Sequence, residues 1–365
     1  MTQRLNDEDR IDWLTLARTP RIGPITFHQL LKKFGSPKAA LRALPGLNNR
    51  GAPLIPPQRS TIQVEIDRAH AFGARLVASC EQDFPPLLAA LDPPPPILTR
   101  KGKLSLTQKP TIAIVGARNA SAAGLKIARD IAAVLGAADY TIVSGLARGI
   151  DAAAHSGSLT SGTVAVLAGG VDHAYPPQNI GLYESIAASG LLISESPLGH
   201  RALARDFPRR NRLITGLANG VVVIEAAERS GSLISARLAG EQGREVMAVP
   251  GSPLDPRSSG TNHLIRQGAT LVRSAEDVID AMRFINNVGM NAPKTLFDDA
   301  PEPVGDLSVS EIERVLNALS PVPMPLDDIA RAARLNVART SAALMELELE
   351  GRAMTFAGGA ASLSS

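Results

Sequence analysis

The chain has 365 residues, 44% of them hydrophobic and 20% charged, which is enough for two or three domains that each bury a core. Its 38 Lys and Arg against 35 Asp and Glu leave a formal charge of only +3, so an anion site has to come from local clustering. One cysteine, Cys80, excludes an intrachain disulfide and every multi-cysteine zinc or iron–sulfur site, and it fits a reducing cytoplasm.

The opening MTQRLNDEDR has no apolar run and does not read as a signal peptide. Residues 1–75 read as a small helical module. Ile11 to Leu16 starts an apolar-periodic segment, Arg21-Ile22-Gly23-Pro24 makes a turn, and Ile25, Leu30, Leu31 and Phe34 follow at helical spacing. A glycine turn between short helices is a helix-hairpin-helix pattern, whose amides can hold a phosphate; a packing or interaction module satisfies it equally. After a strand-like RLVAS, Pro93 to Pro96 must be extended, because each fixes φ and lacks an N–H, and they read as a stiff connector.

The rest of residues 76–284 repeats one rhythm, an apolar β-branched run, a Gly or Ser turn, then an amphipathic segment. The runs are Thr111–Val115, Thr141–Val143, Thr163–Leu167, Leu191–Ser194, Val221–Ile224, Val246–Val249 and Thr270–Val272. Runs apolar on both faces and spaced by helix-length segments predict an α/β domain, a Rossmann-like open, mostly parallel sheet. Residues 285–305 lose periodicity and gain Pro, Asn and Asp, as a linker does. In 306–365, helical patterns over Ile312–Leu319, Leu326–Ala333 and Val337–Leu349, with a hairpin over Gly351–Gly359, predict a winged helix. That segment holds five Arg and no Lys against eight acidic residues, a net −3, and its candidate recognition helix ends MELELE. Carboxylates there would repel phosphates, so a protein-contact or regulatory role is favoured over major-groove reading. No stretch reaches the roughly 20 apolar residues of a membrane span.

Ligands of an open α/β sheet bind beyond the carboxyl ends of its strands. Those ends carry Gly116-Ala117-Arg118, Ser144-Gly145 with Arg148, Gly169-Gly170 and Ser230-Gly231-Ser232, small residues that let a ligand reach backbone amides. Arg118 stands where G-x-G-x-x-G needs its second glycine, and no P-loop occurs, which disfavours a dinucleotide dehydrogenase and a P-loop ATPase. Arg118 on a Gly turn at a helix start reads as a phosphate clamp. The densest cationic run is Arg201, Arg205, Arg209, Arg210 and Arg212, with Phe207 inside it. Guanidinium groups flanking a ring suit single-stranded nucleic acid; a ring that anchors the Arg loop is the alternative. Asp151, Glu195 and Glu225 read as amide or Arg partners shaping the turns, and Asp151 with His155 as a cap and a packed ring. No catalytic residue, metal ligand or cofactor is assigned.

These blocks resemble the DNA-processing protein A family (DprA, also called Smf). The resemblance lies in FPPLLAALDPPPPILTRKG, IAIVGARNASAAG, IVSGLARGIDAAAHSG, TVAVLAGGVDHAYPPQN, LLISESPLG, the long run from FPRRNR to AVPG and GTNHLIRQGA, together nearly all of residues 84–275. The flanks resemble that family's N-terminal SAM-like helical module and C-terminal winged helix. The resemblance implies a dimeric recombination mediator, not an enzyme, that binds and protects incoming single-stranded DNA and helps load the RecA recombinase in natural transformation. It implies a DNA pocket at Gly116, Ala117 and Arg118 and at Arg205, Phe207, Arg209, Arg210 and Asn211. The stretch PPQN departs from it, since Pro177 or Gln178 stands where the family often has Lys. The rival reading is a nucleotide phosphoribohydrolase of the lysine-decarboxylase-like Rossmann family, with Gly169-Gly170 and Glu225 in its site; that family's P-G-G-x-G-T-x-x-E run is missing here.

Overall fold

The structure, a computed structural model, describes residues 5–46, 54–228, 230–291, 308–349, 352–356 and 360–363. It divides into two compact units, Met1–Asn287 and Val288–Ser365.

The first unit begins with α1 (Asp7–Ala17), α2 (Pro24–Phe34), α3 (Pro37–Ala43) and α4 (Arg59–Ala71). Asn6 and Ser36 cap α1 and α3 by accepting from the amides of Asp9 and Ala39, and Gly35, left-handed at φ 78°, ends α2. The module shares a core with the sheet. Trp13, Leu14, Phe27 and Ile62 pack in one cluster with Leu76, Ile97, Leu146 and Leu167, and the Trp13 indole donates to the Pro96 carbonyl at 2.7 Å. The break near residue 75 is a change of periodicity along the chain, and the packing continues across it.

The sheet strands are β1 (Arg75–Ala78), β2 (Ile97–Gly102), β3 (Thr111–Gly116), β4 (Thr141–Ser144), β5 (Thr163–Val166), β6 (Leu191–Ser194), β7 (Gly220–Ile224), β8 (Glu245–Ala248) and β9 (Thr270–Leu271). Their order is β1-β2-β6-β5-β4-β3-β7-β8-β9; β3 to β9 pair in parallel, while β2 runs antiparallel to both β1 and β6. The connector reading missed β2. Its cations lie toward the far end of the strand, but Ile97, Leu98 and Thr99 are buried as soon as the prolines end and N–H groups return to the chain.

Helices α5 (Pro86–Ala89), α6 (Ala122–Ala137), α7 (Ile150–Ser158), α8 (Ile180–Ser189), α9 (Asp206–Gly216), α10 (Gly231–Glu241), α11 (Ser259–Arg266) and α12 (Ala275–Asn291) complete this unit. Alternate strand residues feed opposite faces: Val164, Val166, Val221 and Val223 enter one core with α9 and α10, while Ile112, Ile114, Val222 and Ile224 enter the other with α6 and α12. That two-sided burial is why the strands read as continuous apolar runs. Strands β3 to β6 step outward in one direction and β7 returns beside β3, so the order reverses between β3 and β7 and a crevice opens at their carboxyl ends. Of the expected linker, 285–291 continue α12 as helix, and 292–305 lie outside the described residues.

The second unit contains α13 (Val309–Ala318), β10 (Met324–Pro325), α14 (Leu326–Ala333), α15 (Val337–Leu349), β11 (Ala353–Phe356) and β12 (Ala360–Leu363). Three helices with a β10-β12-β11 antiparallel sheet make a winged helix. Its hairpin pairs Ala353 with Leu363 and Phe356 with Ala360, so it reaches further along the chain than the expected 351–359. Ser308 and Glu311 form a capping box on α13, and the Arg339 guanidinium donates to both Glu311 oxygens, at 2.7 and 2.8 Å. The acidic side chains of MELELE lie outside the described residues. Among the described residues no helix is long and apolar enough to cross a membrane.

A buried imidazole on α7 makes the first unit sensitive to acid. His155 Nδ1 lies 2.7 Å from the Thr163 hydroxyl, which itself donates to the Ile142 carbonyl at 2.9 Å, so Nδ1 carries the ring proton. Burial and the nearby Arg210 charge push its pKa from 6.5 down to about 3. Because the folded-state value is depressed, the stabilising effect of the neutral ring is complete above pH 6.5 and is lost as pH falls from there toward 3. His155→Gln does not titrate, so denaturant midpoints of wild type should fall more steeply on acidification than those of the variant. Parallel profiles would refute the assignment.

Candidate nucleic-acid interface

The crevice at the carboxyl ends of β3 and β7 is built on close backbone contact. A Cβ on Gly116 would stand 1.8 Å from the Ile224 carbonyl oxygen, so only glycine lets the two strands meet there. The Ala117 carbonyl accepts from the Ile150 amide at 3.2 Å, and Gly149, at φ 76°, could not carry a Cβ without striking Ala117. The turn is thus pinned on both sides, and Arg118 projects from it exposed. Ser121 caps α6, and the Glu225 carboxylate accepts from the Ser121 amide at 2.8 Å and from its hydroxyl.

At the end of β4 the Ser144 hydroxyl donates to the Ile114 carbonyl at 2.6 Å, and the Gly145 and Ala147 amides donate to Asp151 at 3.1 and 3.3 Å. Arg148 beyond them is exposed. Asp151 is buried; burial raises its pKa, and the Arg210 charge opposes that rise.

Helix α9 sorts the last three arginines of the cationic run, Arg209, Arg210 and Arg212, by its own periodicity. Asp206, at its start, accepts from the Leu203 amide at 2.9 Å and from His200 Nε2 at 2.8 Å. Arg201, Arg205 and Arg209 are exposed, whereas Arg210 is 5% exposed. The Arg210 guanidinium donates to the Val166 carbonyl at 3.1 Å and lies against Gly145, where a Cβ would come within 1.5 Å of it. Burial lowers its pKa to about 10, with Asp151 opposing and Arg118 adding to the shift, so it stays charged at neutral pH. Phe207 is half-buried, its ring 5.7 Å from exposed Tyr175, with the Arg118 and Arg210 guanidinium carbons 5.2 and 5.9 Å from its centroid. The ring therefore lies beside both arginines and fronts the crevice.

The resulting cleft, about 810 Å³, runs from Gly116, Ala117 and Arg118 past Phe207 and Asn211 to Ser230, Gly231 and Ser232 at the start of α10. A side recess of about 250 Å³ lies between Arg118, Arg148, Tyr175, Gln178 and Phe207. The Ser230 and Ser232 hydroxyls bond to each other at 2.8 Å, Ser230 makes no side-chain cap, and the Leu233 amide donates to the Ser230 carbonyl at 3.2 Å.

Some expected contact residues take other parts. Ser144 and Gly145 are buried and spend their hydroxyl and amide inside the protein. Gly170 is buried too, its amide donating to the His200 carbonyl at 2.9 Å. Arg210 is the internal post of the β4 turn, and Arg212 is paired with Glu195. These five shape the edge; a strand-end motif marks the edge of a sheet without telling which atoms remain free. Arg205 and Arg209 line a separate depression of about 190 Å³. Sequence reading missed Tyr175 and Gln178 as cleft residues, having used that stretch only for its departure at PPQN; the scarcity of aromatics, 3% of the chain, was the available signal for Tyr175. Arg257, tied to Asp255 at 2.9 Å, also reaches the cleft, and no motif marks it.

Fold and site define a Rossmann-like protein with a cationic switch-point cleft, preceded by a helix-hairpin-helix module and followed by a winged helix. Residues 75–283 match the family described as DNA recombination-mediator protein A, residues 7–68 a DprA-like N-terminal HHH domain and residues 299–359 a DprA winged helix domain. The chain belongs to the DNA recombination-mediator protein A family. It is 32% identical to protein Smf of Synechocystis over 93% of this chain and 95% of that one. It is 45% identical to the DNA processing protein DprA of Streptococcus pneumoniae over 52% of this chain and 68% of the relative. The X-ray structure of DprA from Streptococcus pneumoniae superposes with a TM-score of 0.63 at 31% identity, covering 76% of this chain and 98% of that one. The Helicobacter pylori DNA processing protein A, whose structure is described for its single-stranded DNA binding mode, superposes with a TM-score of 0.54 at 28% identity over 58% of this chain and 96% of that one.

Proposed function

We propose that the protein binds single-stranded DNA in the switch-point cleft and acts in the cytoplasm as a recombination mediator. In this reading it is a dimer that protects incoming DNA in natural transformation and helps load a RecA-type recombinase, and it performs no catalysis of its own. The observation that carries the reading is the arrangement of Arg118 and Arg148 around the Phe207 and Tyr175 rings, at the mouth of a cleft walled by small residues. Guanidinium groups take phosphates while rings offer faces to unstacked bases, a combination a duplex, with its bases already stacked, does not use. The Helicobacter pylori relative's single-stranded DNA binding supports it. The hydrolase reading needs Glu225 free, and its carboxylate is engaged by Ser121.

Affinity for an unstructured oligonucleotide should exceed that for duplex of equal length, and log K should fall with log[salt] with a slope of about −0.7 per phosphate neutralised. Equal affinity for both forms would reduce the cleft to a charge trap. The mediator role is read separately, as faster RecA assembly on coated single strands in the presence of the protein; no acceleration would limit the function to binding. Removing residues 306–365, which carry a net −3, should leave single-strand affinity within about threefold of wild type in the same titration.

A further inference from the structure

The turn from β4 to α7 carries Arg148, and its backbone takes an unusual course. Leu146 stands at φ 58°, a left-handed conformation that side chains rarely adopt, and Gly149 follows at φ 76°. A non-glycine residue stays there only where its surroundings hold it. The Leu146 side chain is fully buried, and the turn is bonded from two sides. On one side the Asp151 carboxylate accepts from the Gly145 and Ala147 amides. On the other the Asn179 side-chain amide donates to the Leu146 and Ala147 carbonyls, at 2.9 and 3.1 Å. One NH2 group thus bridges two successive carbonyls, a task for which a hydroxyl has too few protons and a carboxylate has none.

Asn179, the last residue of PPQN, belongs to a different part of the site. It closes the short 3-10 turn Pro177–Asn179 ahead of α8, its own backbone amide donating to the Pro176 carbonyl at 3.0 Å. Tyr175, Pro176, Pro177 and Gln178, just before it, line the recess of about 250 Å³, whereas Asn179 lines neither the recess nor the cleft. The cations of that recess are Arg118, Arg148 and Arg210. Arg118 has its own pinned turn, and Arg210 is held by the Val166 carbonyl, so Arg148 is the one whose place depends on the Leu146 turn.

We propose that Asn179 is a positioning residue for single-strand binding: it ties the turn carrying Arg148 to the Tyr175–Gln178 segment, and so sets where the Arg148 guanidinium stands, without touching the ligand. The proposal rests on the single-strand reading of the cleft and deepens it by naming what fixes one of its cations.

Fluorescence anisotropy of the full-length chain with a labelled oligothymidylate, across a salt series and beside melting curves, tests it. Asn179→Ala removes both bridging protons. Asn179→Ser keeps a polar N-cap for α8 and one donor, so it preserves the test if the alanine variant does not fold. Arg148→Ala should weaken binding by about tenfold and make the salt slope shallower by about 0.7, one phosphate. Asn179→Ala removes no charge, yet it should weaken binding by a factor approaching that of Arg148→Ala and flatten the slope in the same direction, with Asn179→Ser between it and wild type. In the Arg148→Ala background neither Asn179 variant should change anything further, because a residue acting only through Arg148 has nothing left to position. A side chain that merely stabilises the fold lowers the melting temperature and leaves the slope alone. Wild-type affinity and slope in the Asn179 variants, with Arg148→Ala weakened, would assign the amide to the fold and overturn the proposal. Losses that multiply in the double variant would show Asn179 acting apart from Arg148, and overturn it too. If Arg148→Ala binds like wild type while Arg118→Ala does not, the proposal falls and the cleft stands; if Arg118→Ala also binds like wild type, the cleft reading fails and takes the proposal with it.

Discussion

Arg118→Ala lowers the affinity for an unstructured oligonucleotide by roughly 10- to 100-fold at low salt, the range expected for losing a hydrogen bond to a charged group worth about 1.5–3 kcal/mol. The effect should be that large because the guanidinium is placed before the ligand arrives. Its turn is pinned by Ile224 and Ile150, and its charge rests 5.2 Å from the Phe207 centroid, so the backbone that carries it need not rearrange on binding. Arg118→Lys should recover only part of the affinity, since an ammonium keeps the charge but gives up the planar fork and much of the ring contact. The salt slope separates the two variants: Ala flattens it, and Lys leaves it near wild type. An Ala variant with unchanged affinity and slope would remove the clamp from the site.

Gly116→Ala is expected to cost several kcal/mol of stability, enough to lower the melting temperature by about 10 °C or more or to leave the protein insoluble. The added methyl would stand 1.8 Å from a carbonyl oxygen of β7 and 2.7 Å from Ile150 Cγ1, so relief requires parting two central strands. Gly231→Ala is the matched control, because a Cβ at this first position of α10 would have nothing within 4 Å. That variant should melt like wild type. If Gly116→Ala also does, the strands are not held as tightly at the switch point as their backbone contact indicates.

Much of the sheet was legible because parallel strands buried on both faces leave an unmistakable trace, and β3 to β9 begin and end within a residue or two of the apolar runs. The three winged-helix segments were legible for the same kind of reason, in their case the helical period. The antiparallel strand β2 was not, because its run is short and charged at one end, and its membership in the sheet comes from a distant partner, β6. Periodicity also separated the N-terminal helices from the sheet, while Trp13 and Leu14 show one continuous core.

The sequence by itself determined the fold class, the glycine and serine strand ends, and the placing of cations at Arg118 and Arg201 to Arg212 within a chain of net charge only +3. It did so because these depend on residue type and on spacing along one element. Which cations are free was decided by tertiary structure alone. Arg209 and Arg210 are neighbours of the same type, yet one faces solvent beside a small pocket and the other is buried against Gly145 and the Val166 carbonyl. A helical turn sends adjacent side chains about 100° apart, and only the sheet packed beneath α9 sets which direction is water and which is protein.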